Sequence, residues 1–442
     1  MKIILSSRRH HYLLRVSVFL ITVALIAGMV GCAPVQYDLT ISSTEGGEVT
    51  TPGEDTFTYN EGTVVNLVAE PEDGYHFVNW TGDVSAIASV NAAITTITMG
   101  GDYSILANFG LEIWEIRDWY DLDAIRNNLG DRYILMNDLD STTAGYMELA
   151  SETANQGRGW EPIGTADDQF TGSLNGRGYE IKDLFIDRPD EIPVGLFGEV
   201  GQEGVTKDIG VVNITVIGDD YVGGLVGHSD GTVSNSYSTG SVTGEEYVGS
   251  LVGHNGGIVN NSYSSGSVTG DSRIGGLVGW NQATLSNSYS SCSVTGNWSV
   301  GGLVGDNWYY ESTVGNSYST GSVTGGSRVG GLVGVNYYGS VTHSYSTGSV
   351  TGSSQVGGLV GYNKGTVSNS FWDTETSGQA TSDGGTGKTT AEMMDVATFT
   401  DTETQGLDEP WDITAVALGQ TNPAHTWNIV DGETYPFLSW ES

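Results

Sequence analysis

The middle of this chain repeats one phrase six times with small departures. The phrase is Val-Gly-Gly-Leu-Val-Gly, an Asn-bearing turn, Asn-Ser-Tyr-Ser, then Gly-Ser-Val-Thr-Gly. The leucines of the Leu-Val-Gly triplets stand at Leu225, Leu251, Leu277, Leu303, Leu332 and Leu359, separated by 26, 26, 26, 29 and 27 residues. A degenerate copy, Gly195-Leu196-Phe197-Gly198, lies 29 residues before the first. Self-similarity at such a period describes stacked units, none of which can bury its apolar side alone.

Each copy carries short runs with period-two alternation, so the fold class is all-β and the units stack as a parallel β-solenoid. The expected hand is right, the hand that parallel crossovers take. About seven coils follow, each with room for three short strands and three turns. In Thr232-Val233-Ser234-Asn235-Ser236-Tyr237-Ser238, simple alternation puts Val, Asn and Tyr on one face. With Val inward, Tyr237, Tyr263, Tyr289, Tyr318 and Tyr345 would be buried in one stack closed by Phe371. Asn235, Asn261, Asn287, Asn316 and Asn369 would share that interior. A second row, Asn255, Asn281, Asn307, Asn336 and Asn363, is placed to bond one coil to the next. The flanks, 112–193 and 373–442, lack the full repeat and read as terminal caps. In the first, Asp118 caps a helix with Trp119, Leu122, Ile125 and Leu129 on one side. In the second, Thr390 caps a short helix and Pro436–Trp440 folds back over the last coil.

The first 31 residues read as a targeting segment: Lys2, Arg8, Arg9 and Arg15, an apolar run from Val16 to Val30, then Gly31-Cys32. The arrangement resembles a bacterial lipoprotein signal, which implies lipidation of Cys32 and a membrane anchor. Loss of residues 1–31 removes four cations and no acid, taking the formal charge from −37 to −41. Such a surface repels phosphate backbones and excludes nucleic acid as a partner. Besides Cys32 the only cysteine is Cys292; it occupies a repeat position held elsewhere by Gly, and the fold has to be held by packing.

Two family resemblances follow. Residues 36–109, with Gly-Gly-Glu-Val, Gly74-Tyr75-His76-Phe77-Val78-Asn79-Trp80 and Tyr-Ser-Ile-Leu-Ala-Asn-Phe, resemble the InlB B-repeat. That resemblance implies a small β-rich, ubiquitin-like module preceding the solenoid, with Trp80 in its core. Residues 194–372 resemble the GLUG motif, in register from copy to copy. GLUG repeats occur in secreted and surface proteins, among them some immunoglobulin A-cleaving peptidases and haemagglutinin-like adhesins, so the resemblance implies a scaffold and leaves the ligand open.

Sites of chemistry are scarce in the sequence, and no catalytic, metal or cofactor-binding residue is assigned. Ser382–Thr390 evokes a phosphate loop but has Ser where the first Gly belongs and no apolar strand before it. No histidine pair has the His-Glu-x-x-His spacing of a zinc peptidase. His228 and His254 share a repeat position that reads as an exposed turn. The strongest candidates for ligand contact are aromatic residues in or near turns: Trp280, Trp298, Trp308, Tyr309, Tyr310, Tyr337, Tyr338 and Tyr362. Stacked on one edge they would form a strip for an extracellular glycan or protein. The function expected is a surface-anchored structural or adhesive rod. A carbohydrate-binding module and a polysaccharide-active enzyme are the alternatives.

Overall fold

The computed structural model describes residues 34–72 and 74–441; the targeting segment and Cys32 lie outside them. The chain divides into two units, residues 1–110 and 111–442. The first is a β-rich module of two sheets. Gln36–Ser43 pairs antiparallel with Thr56–Asn60 and parallel with Tyr103–Leu111, while Val64–Pro71 pairs antiparallel with Gly47–Thr51 and Ile94–Thr98. Alternation sends Leu39, Ile41, Val65, Leu67 and Ile105 inward. Trp80 is buried among them, its indole N–H donating to the Ala92 carbonyl at 3.0 Å.

The second unit is a parallel β-solenoid of about seven coils. Each full coil contributes strands to four sheets, not the three expected, and in the later coils the fourth-sheet strand is split in two. In one coil these are Asp220–Val222, Val226–Ser229, Thr232–Ser234 and Tyr237–Thr243. Equivalent segments stack in register into four sheets, here numbered first to fourth in that order. The extra corner falls within Val-Gly-Gly-Leu: the chain bends so tightly there that a Cβ added to Gly223 would meet the Val226 carbonyl of its own coil at 2.1 Å and the Leu251 carbonyl of the next at 2.8 Å. Glycine permits that approach, and the chain bends inside what reads as one apolar run.

The interior is a set of identical columns. Val233, Val259, Leu285, Val314 and Val341 form one, and Leu225, Leu251, Leu277, Leu303 and Leu332 another, all fully buried. The second Asn row also lies inside. Asn255, Asn281, Asn307 and Asn336 are buried, and each Nδ2 donates to the next coil's Oδ1 at 2.7 to 2.9 Å, ending on Asn363. Each amide thereby satisfies its own buried groups and pins the register.

The tyrosine column departs from the alternation argument. Asn235, Asn261, Asn287, Asn316, His343 and Asn369 all take left-handed backbone, with φ of 47 to 49°. One left-handed residue reverses which side the following positions face. Ser236, Ser262, Ser288, Ser317 and Ser344 therefore turn inward and are buried. Each Ser Oγ accepts from the equivalent backbone N–H of the preceding coil at 3.1 to 3.4 Å. The tyrosines turn outward, and the asparagines sit at an outer corner of the coil rather than in its interior, Asn369 being covered by the C-terminal cap. Asn235 is exposed there, and Asn261 donates to its Oδ1 at 3.1 Å.

The caps behave largely as their composition dictates. Asp118 accepts from the N–H groups of Tyr120 and Asp121 at the start of the helix Trp119–Asp123. Trp119, Leu122 and Ile125 close the first coil. At the other end Thr389, not Thr390, is the N-cap of the helix Thr390–Met393, in a capping box with Glu392. The strand Thr386–Lys388 adds to the fourth sheet beside Phe371–Asp373, so the loop-like Gly387-Lys388 is part of a sheet. Beyond it the chain turns onto the outer face of the fourth sheet instead of only covering the last coil. Phe399, Trp411, Trp427 and Leu438 bury Tyr318, Tyr345 and Phe371 in a cluster separate from the solenoid interior.

Candidate functional site

Among the six full copies, the two longest repeats owe their length to residues after the second-sheet strands Val304–Trp308 and Val333–Tyr337. These strands are in register, so Trp308 lies beside Tyr337, and their rings stack at 4.2 Å and 15°. The inserted turn carries Tyr309 and Tyr310, with its tip fixed by the Ser312 hydroxyl donating to the Tyr309 carbonyl at 2.9 Å. Tyr310 stacks on Tyr338 at 4.4 Å, and Tyr338 meets Tyr337 edge-on at 4.3 Å. Tyr338 has left-handed backbone, φ 73°, which swings its ring outward. Tyr309, Tyr310 and Tyr338 are 56, 75 and 41% exposed, far more than aromatic rings with a purely packing role. A hydrogen bond with Tyr337, then the charges of Tyr337 and Tyr310, push the Tyr338 hydroxyl up to about 12. The result is a neutral aromatic surface with phenol groups at its rim.

The other three expected residues lie elsewhere, so the eight aromatics do not make one strip. Trp280 points outward from the middle of the second sheet, in the column Glu199, His228, His254, Trp280, Asp306, Val335, Tyr362. Its ring lies 4.6 Å from His254 and 5.0 Å from Tyr247. Trp298, 52% exposed in the first sheet, and Tyr362 both flank the Arg328 guanidinium, at 5.9 and 5.1 Å.

This column is not the exposed turn that its variable residues imply. His254, Asp306 and Val335 are buried. The His228 and His254 rings stack at 4.4 Å, and His228 Nδ1 meets Glu199 Oε1 at 2.6 Å. Burial opposes charge on His228, but hydrogen bonding to Glu199 and the charges of Glu199 and Asp230 leave it above its usual value. Burial, with the charge of His228, drives His254 down to about 3. Asp306 is pushed up to about 6 by burial, against the pull of Arg273, whose Nε lies 3.2 Å from its carboxylate. First-sheet side chains, Tyr221, Tyr247, Arg273 and Arg328 among them, cover the column, a juxtaposition that depends on the unforeseen fourth corner.

Comparison with known proteins fits this architecture. Residues 37–112 match the divergent InlB B-repeat domain, and residues 218–243, 244–269, 296–324 and 325–351 match the GLUG motif. Four of the solenoid's repeats are GLUG motifs. The coil at 270–295, outside those matches, keeps the register of its neighbours. Over 198 residues the chain is 31% identical to Halomucin of Haloquadratum walsbyi, covering 41% of this chain and 2% of that protein. Over 119 residues it is 39% identical to a protein of Evansella cellulosilytica provisionally named a Gly-rich membrane protein, covering 26% and 13%. The chain thus spans a small part of these relatives. A Bacteroides ovatus crystal structure, provisionally named an immunoglobulin A1 protease, has 19% identity and a TM-score of 0.44, covering 74% of this chain and 92% of its own. An IgA1 protease structure has 16% identity and a TM-score of 0.38, covering 77% and 27%. Among the described residues no helix is long and apolar enough to cross a membrane.

Proposed function

We propose that this chain is a cell-surface lipoprotein, anchored through Cys32, whose β-solenoid is a structural and adhesive scaffold rather than an enzyme. Its display surface is the cluster of Trp308, Tyr309, Tyr310, Tyr337 and Tyr338, offered to an extracellular glycan or protein. The observation that carries this reading is the origin of the cluster. Among the six full copies, both departures from the 26-residue length place aromatic rings at one corner, where they stack on each other instead of entering the core. Insertions confined to one side of a solenoid mark its binding face. The names of the two relatives, a mucin-like name and a membrane protein, support a surface location. The strong acidity keeps the ligand class neutral or cationic.

The test is an array of glycans and extracellular proteins probed with the mature protein carrying Cys32→Ser. Reproducible binding lost in Trp308→Ala or Tyr338→Ala, with melting temperature held, supports the proposal. Binding that survives both substitutions removes this cluster as the display surface.

A further inference from the structure

The outward tyrosine column forms a second feature, independent of the Trp308 cluster. Tyr237, Tyr263, Tyr289, Tyr318 and Tyr345 stack ring on ring at 4.7 to 5.0 Å. The faces are spent on each other, so the column presents ring edges and a row of hydroxyls. Three hydroxyls have partners within the chain, and every partner is an oxygen acceptor. Tyr237 donates to the Glu180 carboxylate, Tyr318 to Glu441 Oε2 at 2.7 Å, and Tyr345 to the Pro436 carbonyl at 2.5 Å. The hydroxyls of Tyr263 and Tyr289, between them, bond to no described residue. Tyr263 and Tyr289 line a groove of about 720 Å³ together with Tyr237, Asn235, Asn261, and Trp440 and Glu441 of the C-terminal cap.

We infer that this groove is a binding site for a neutral oligosaccharide. The lining is a set of phenol hydroxyls, two carboxamides, the Glu441 carboxyl and one indole whose N–H is given to the Asn287 carbonyl, with no cation among them. That mixture satisfies vicinal hydroxyls while one apolar ring shields a sugar's C–H face. Glu180, bonded to Tyr237 at one end of the row, together with the overall charge, repels an anionic chain. A peptide adding to the sheet is disfavoured, because the tyrosine-bearing strands are already paired on both sides. Recognition here has to come from side chains, and the column repeats its hydroxyls at the coil spacing, which suits a chain of repeating units. The cap's own segment, seated on the same column, shows what these hydroxyls take: oxygen acceptors beside an aromatic ring.

The deciding experiment is calorimetric titration of the mature Cys32→Ser protein with neutral hexose and pentose oligosaccharides of four to six units. Saturable binding is expected from at least one of them. Tyr263→Phe and Tyr289→Phe each keep the ring stack and should weaken it about three- to tenfold, one hydrogen bond's worth. Both should leave the melting temperature unchanged, since neither hydroxyl bonds to a described residue. Asn261→Gly keeps the left-handed corner without strain and provides a second probe of the groove. Trp308→Ala should have no effect on this binding. Failure of every oligosaccharide to saturate, affinity undiminished in the double Phe variant, or a peptide bound in their place would each overturn the assignment.

Discussion

Asn307 tests the most specific structural claim, that buried carboxamides lock the coils together. It is fully buried, accepts from Asn281 Nδ2 at 2.8 Å, and donates to Asn336 Oδ1 at 2.8 Å and to the Ser340 carbonyl at 3.3 Å. Replacement by Ala leaves Asn336 Oδ1 without its donor, while Asn281 Nδ2 keeps the carbonyls of Ala283 and Thr313. One stranded buried acceptor costs about 1–3 kcal/mol, and the lost contacts of the side chain bring the total to about 2–4 kcal/mol. Asn307→Asp should cost more at neutral pH, because it sets a buried carboxylate against Asn336 Oδ1. Acidification returns a proton to that contact, so the Asp variant should recover part of its loss while the Ala variant does not. Guanidinium denaturation at pH 7 and pH 5 measures both. Hydrogen exchange on Val304–Trp308 and Val333–Tyr337 should localise the loosening, since a solenoid is coupled mainly through neighbouring coils. An Ala variant within about 0.5 kcal/mol of the parent, the range of ordinary surface substitutions, would refute the locking role.

Three further outcomes follow from the same geometry. Tyr345→Phe removes a buried hydrogen bond to the Pro436 carbonyl and should cost about 0.5–1.5 kcal/mol, read as faster exchange in the C-terminal cap. Gly321→Ala would put a Cβ 1.8 Å from the Cys292 carbonyl and should destabilise by about 1–3 kcal/mol in thermal melts. Asp306, raised from 3.8 to about 6 in the folded protein, favours the native state when it takes up a proton. Its penalty is therefore full above about pH 6 and fades as pH falls toward 3.8. Asp306→Asn should gain stability relative to the parent between pH 5 and 8, by about 1–3 kcal/mol, and a flat difference curve would contradict the assignment.

Much of the solenoid was legible because its information is local and repeated. A 26-residue period with Val and Leu at fixed places leaves stacked coils as the way to bury them, and the Asn255-to-Asn363 row announced itself by recurrence. Asp118 showed itself as a capping residue because caps are local chemistry, while the cap expected at Thr390 fell one position earlier, at Thr389. The side on which the tyrosines lie was not legible from alternation. It turns on one left-handed residue per coil, and the Asn-Ser-Tyr triplet carried that signal through asparagine's tolerance of such backbone. The eight candidate aromatics could be named from their turns. Their division among the Trp308 corner, the Arg328 flank and, for Trp280, the His254 column depends on which coil faces bend toward each other. The groove at Tyr263 and Tyr289 was beyond reach for the same reason. It joins residues more than 150 positions apart, Tyr289 to Trp440 and Asn287 to the Trp440 indole. The repeat by itself determined that the chain coils and what fills the coil. The open stretch of the tyrosine column was decided by the tertiary structure, where a non-repeating cap comes to rest on some hydroxyls and stops short of others.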